Sequence, residues 1–110
     1  MIASDSLPKN EALFREVNER IEAVSQSVSP DYEAMEFLCE CDRADCRENV
    51  SVTRAEYEAV RAVPTHFIVL PNHQDPRIER VAVANERFLV VEKEGKAARR
   101  AEESDPRDRT

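Results

Sequence analysis

All three cysteines of this chain fall within one short stretch, Cys39-Glu40-Cys41-Asp42-Arg43-Ala44-Asp45-Cys46. Thiols spaced C-x-C-x4-C are close enough to serve a single metal ion, and Zn²⁺ favours thiolate and imidazole donors in a closed tetrahedral shell such as Cys3His. Cys39, Cys41 and Cys46 supply three donors, and Pro71-Asn72-His73 reads as a polar loop able to bring His73 to the fourth position. The rival fourth donor is His66, which sits inside an apolar run where a structural histidine is the commoner outcome. The spacing is less specific than paired C-x-x-C motifs, because the chain must bend after Cys39 for neighbouring thiols to converge. A blander alternative makes Cys39 a small core residue and leaves Cys41 and Cys46 as loop thiols.

Three thiolates and a neutral imidazole around Zn²⁺ leave one net negative charge, which Arg43 and Arg47 are placed to offset. A catalytic metal would need an open coordination position and a positioned acid or base. Glu40 is adjacent in sequence, yet in an extended chain it points away from the side shared by Cys39 and Cys41. H-E-x-x-H, G-x-S-x-G and the zinc-deaminase pattern are absent, and a single glycine cannot build a phosphate-binding loop. The expected role is a zinc-stabilised protein-interaction or regulatory domain that binds an unidentified protein partner. A thiol-based redox or metal sensor is the alternative, with a small metal-dependent hydrolase behind both.

The elements that must position these residues are legible around them. Between Asn10 and Val28, Phe14, Val17, Ile21, Val24 and Val28 recur at steps of three and four, with Leu13 widening the stripe. This predicts a long helix with one buried apolar face, its other faces carrying Glu11, Arg15, Glu16, Glu19, Arg20 and Glu22. The same stripe also suits a weak homodimer or a partner-docking helix. Met35 to Cys41 alternates as a strand, and Asn49 to Val52 as a short second one. Thr53 with Glu56 makes a capping box, and Val52 with Tyr57 a hydrophobic staple, so a second helix starts there with Tyr57, Val60 and Val63 inward and stops at Pro64. Thr65 to Leu70, Ile78 to Val83 and Arg87 to Glu92 read as strands, the last two joined as a hairpin.

Together these elements predict an α+β domain: a long N-terminal helix and a short second helix packed on a small, mainly antiparallel sheet with a metal-binding loop. Residues 1–8 are expected as a flexible N-terminus, 9–93 as one zinc-binding domain, and 94–110 as a tail that is helical at most in part. A net charge of −7 argues against nucleic acid and against anionic membrane surfaces. The first residues lack the basic-then-apolar pattern of a secretory signal, and an odd number of cysteines suits metal ligation in a reducing compartment better than a disulfide framework, which together predict a cytoplasmic protein.

The chain resembles a group of small uncharacterised, mainly actinobacterial proteins with a C-x-C-x4-C stretch and a downstream Pro-Gly-His-like loop. The matching pieces are residues 10–21, Phe37-Leu38-Cys39-Glu40-Cys41 with Cys46, Glu56-Tyr57-Glu58-Ala59-Val60-Arg61, Pro71-Asn72-His73 and Val90-Val91-Glu92-Lys93, which span nearly the whole chain. The resemblance implies His73 rather than His66 as the histidine of the site. Asn72 stands where that layout usually has glycine.

Overall fold

The computed structural model describes residues 9–27, 30, 32–41, 43 and 45–107. Val28 and the expected N-terminal segment 1–8 lie outside them. The chain runs α1 (Lys9–Ser25), β1 (Ala34–Leu38), β2 (Asn49–Thr53), α2 (Arg54–Arg61), β3 (His66–Val69), β4 (Glu79–Ala84), β5 (Leu89–Lys93) and α3 (Gly95–Glu103). This is the expected α+β class, but the strands form two sheets rather than one. β1 pairs antiparallel with β2, while β3, β5 and β4 form an antiparallel sheet with β5 at its centre.

Local chemistry explains most boundaries. At the start of α2, Thr53 Oγ1 accepts from Glu56 N and Glu56 Oε1 accepts from Thr53 N, the reciprocal capping box that the sequence predicts. The β4–β5 turn closes on Asn85, whose side chain accepts from the backbone N–H groups of Arg87 and Phe88. The core draws on both sheets and on α2 and includes Phe37, Val52, Tyr57, Phe67 and Val91, with the Phe37 and Tyr57 rings stacked at 4.6 Å. Each such side chain contributes about 1.5–3 kcal/mol by leaving water. Val63, expected inward on α2, is instead partly exposed just past the last helical turn.

The largest departure concerns α1. Its buried residues are Glu11, Arg15, Asn18, Glu22 and Ser25, whereas Leu13 and Val24 are 55 % and 65 % exposed. The expected apolar stripe is therefore only partly covered: Phe14, Val17 and Ile21 are half-buried, with Ile21 packed against the core, and the most deeply buried positions of α1 are polar. Burial of these polar groups is tolerated because each finds partners that the rest of the fold supplies. Arg15 donates to Pro64 O (2.8 Å), Ala101 O (2.7 Å) and Ser104 Oγ (3.3 Å), with its guanidinium stacked 4.4 Å from the centre of the Phe67 ring. Glu11 pairs with buried Lys93, which also reaches Glu79 at 2.5 Å. Glu19 accepts from Tyr57 Oη (2.8 Å), Arg61 Nε (2.7 Å) and Arg107 Nε (2.7 Å).

The C-terminal segment differs from expectation as well. α3 packs against β5 with Ala97 and Ala101 buried, and buried Asp105 is ion-paired to Arg61. Residues 95–107 thus close over the same core instead of trailing from it. No helix of the described residues is long and apolar enough to cross a membrane.

Candidate metal centre

β1 ends at Leu38, so the two first cysteines follow the strand rather than sit in it as expected. The ladder with β2 is extended by one bond, Cys39 N to Glu48 O at 3.0 Å, and the cysteine loop turns back through Cys46 N to Arg43 O at 3.2 Å. On the other side, the chain leaving β3 makes a tight turn over Leu70-Pro71-Asn72-His73, closed by His73 N to Leu70 O at 3.0 Å. Asn72 has φ 74°, the left-handed region. Proline at the second position and a positive φ at the third are the requirements of a type II turn, and asparagine is among the few residues besides glycine that tolerate that conformation. Arg43 of the cysteine loop donates to Asn72 O at 2.7 Å and ties the two loops together.

The turn delivers His73 onto the sulfurs. Its Nδ1 lies 3.5 Å from Cys39 Sγ and 3.7 Å from Cys46 Sγ, and the donor atoms of Cys39, Cys41, Cys46 and His73 all lie within 4.8 Å of one another. A tetrahedral Zn²⁺ with bonds of ~2.3 Å to sulfur and ~2.0 Å to nitrogen spaces its ligands about 3.5 Å (S to N) and about 3.8 Å (S to S) apart. The two distances from His73 Nδ1 to sulfur match that spacing and the whole set lies within 4.8 Å, so the donor set suits such an ion. The three cysteines are free thiols, buried to 0 %, 1 % and 6 % exposure, while His73 is half-buried.

Cys39 Sγ also receives a backbone N–H, from Leu70 at 3.3 Å, and the neighbouring backbone of Arg43 and Glu48 favours the charged forms of Cys41 and Cys46. Such donors stabilise negative sulfur. Hydrogen bonding from the Cys39 thiol, helped by the Arg43 backbone and His73, draws the Cys41 thiol down to about 4 against the opposing effect of burial. Cys39 moves up in exchange, because it keeps the proton it shares with Cys41 and is itself buried. Burial is likewise the leading cause of the upward shift at Cys46. One thiolate is therefore favoured even when the other two sulfurs hold their protons.

Glu40, between two of the cysteines, turns away from them. Its carboxylate accepts from Asn18 Nδ2 (2.7 Å) and from Ile68 N (3.0 Å) and is fully buried. Burial pushes its pKa up, while the bonds from Asn18 and Ile68 and the nearby arginines pull the other way. Asn18 in turn holds the end of β1, donating to Leu38 O (2.9 Å) and accepting from Leu38 N (2.8 Å). Asn18 and Glu40 thereby set the backbone path on which Cys39 and Cys41 both face the cluster. Sequence reasoning assigned no task to Asn18. Its one signal was a weak helix former at a mid-helix position, where a short polar side chain is disfavoured unless it bonds elsewhere.

His66, the rival donor, is on β3 with Nε2 3.9 Å from a Glu92 carboxylate oxygen, and it lines a separate apolar recess with Val63, Val83 and Phe88. It is not part of the cluster. Of the two arginines expected to offset charge, Arg43 bonds across the loops, and Arg47 donates to Cys46 O at 3.1 Å. Comparison with protein-family models, curated proteins and solved structures finds no match to this chain.

Proposed function

We propose that the chain is a protein-interaction or regulatory domain stabilised by a structural Zn²⁺ bound to Cys39, Cys41, Cys46 and His73. The observation that carries this reading is the convergence of four donor atoms from two separate loops within 4.8 Å. A bound ion would cross-link the cysteine loop to the Leu70–His73 turn and hold together the two sheets from which those loops emerge. Four protein donors fill a tetrahedral shell, which favours a structural over a hydrolytic site because no position remains for a reactive water. Burial of all three sulfurs favours it over a redox sensor, whose cysteines need access to oxidant.

Elemental analysis of the protein purified without added metal tests the assignment. One equivalent of zinc is expected, and its removal by a strong chelator should lower the melting temperature sharply, since structural zinc contributes apparent free energies of order 10 kcal/mol in small domains. A metal-free protein that melts at the same temperature with and without zinc would sink the proposal.

A further inference from the structure

One edge of the apolar stripe of α1, around Leu13 and Val24, is left largely uncovered. Leu13, Val17, Arg20 and Val24 follow i, i+4, i+7 and i+11, which confines them to a strip about 60° wide on a helix of 3.6 residues per turn. The buried residues Glu11, Arg15, Asn18, Glu22 and Ser25 occupy the opposite side. Leu13 and Val24 are more than half exposed, and Val17 is half-buried. Exposed Glu16 borders the strip, and among the described residues neither Glu16 nor Arg20 has an ion-pair partner.

We propose that this strip is a self-association surface on which a second copy of the chain lays its own α1 antiparallel, around a twofold axis passing beside residues 18 and 19. The register follows from the residues. Such an axis sets Leu13 against Val24 of the other copy and Val17 against the aliphatic stem of its Arg20. It also brings Glu16 and the opposite Arg20 to the same rim, within about one residue rise along the axis. Because the interface is isologous, each contact occurs twice, giving two Glu16–Arg20 ion pairs across the dimer. This complementarity of the strip with itself is what selects a second copy over another partner: the charged residues flanking the apolar positions are opposite in sign and placed symmetrically about the centre. The contact is small, so the dimer should be weak, and it is independent of the metal centre.

Sedimentation equilibrium on the full chain from about 10 µM to about 1 mM tests this, with the melting temperature of each variant measured alongside so that loss of fold is distinguished from loss of association. Glu16→Arg and Arg20→Glu each place like charges across the interface and should weaken dimerisation by about tenfold or more. The double variant E16R/R20E restores opposite charges and should recover wild-type association to within about threefold. Leu13→Asp, at an exposed position, should leave the fold intact and abolish the dimer. A protein that stays monomeric at about 1 mM overturns the proposal. So does a double variant that associates no better than its single parents while all remain folded.

Discussion

Ile68 holds Glu40 by two bonds: its carbonyl accepts from Glu40 N at 2.8 Å, and its N–H donates to Glu40 Oε1 at 3.0 Å. The pairing joins the chain leaving β1 to β3 in the other sheet, and the second carboxylate oxygen reaches Asn18 on α1. A glutamate flanked by two cysteines is thus the junction of three elements, with the sulfurs facing one way and the carboxylate the other.

Glu40→Ala should therefore destabilise the fold by about 2–4 kcal/mol, because the buried Ile68 N–H and one Asn18 N–H lose their acceptor. Urea unfolding of wild type and variant, purified in the same way, measures this. Glu40→Gln keeps the shape but turns an amide N–H₂ towards one of two donors, so it should fall between wild type and alanine. A loss below about 0.5 kcal/mol for alanine would contradict the junction.

His73→Ala and Cys46→Ser should each lower zinc content and melting temperature, and after chelation wild type and variants should melt close together. His66→Ala should keep full zinc content, since His66 faces Glu92 and lies outside the cluster. Elemental analysis of the three variants checks the assignment, and zinc lost only from the His66 variant would reverse the choice of fourth ligand.

Lys93 lies fully buried between Glu11 and Glu79, with its ammonium 5.1 Å from the centre of the Phe67 ring. Lys93→Met should cost about 3–5 kcal/mol, because it removes the cation from two carboxylates that remain buried. Replacing all three by apolar residues of similar size should recover much of that loss, as exchange of a whole buried ion cluster often does. Chemical denaturation of the single and triple variants separates the two effects.

Glu19 should make stability fall on acidification. Burial pushes its carboxyl up, but hydrogen bonds from Arg107, Arg61 and Tyr57 outweigh that and hold its pKa below the ordinary 4.5. A carboxylate with a depressed folded-state pKa contributes stability that is complete above the unfolded value and is lost as pH falls through the folded one. The stability gap between wild type and Glu19→Gln should therefore be constant near neutrality and shrink below pH 4.5. A gap independent of pH down to about 3 would contradict this.

Much of the secondary structure was legible because its signals are local. The Thr53–Glu56 capping box, the alternating strands and the Pro71-Asn72 turn each lie within a few residues and describe the backbone they adopt. The four cluster residues were readable for a related reason: three thiols close in sequence and a histidine in a polar turn have few other tasks.

Periodicity revealed an apolar stripe on α1, but tertiary structure alone decided that polar side chains take the most deeply buried positions of that helix. These side chains are buried because their partners are far along the chain: Arg15 reaches Ala101, 86 residues away, and Glu11 meets Lys93 at a separation of 82. Burial of a charge is governed by whether matching donors and acceptors arrive from elsewhere, and no local pattern records that. The same physics drew residues 95–107 into the fold, where Ala101 O of α3 accepts from Arg15 and Asp105 pairs with Arg61. The amino-acid sequence thus determined the elements and the metal-type donors, while the long-range pairing of buried charges decided how those elements are turned.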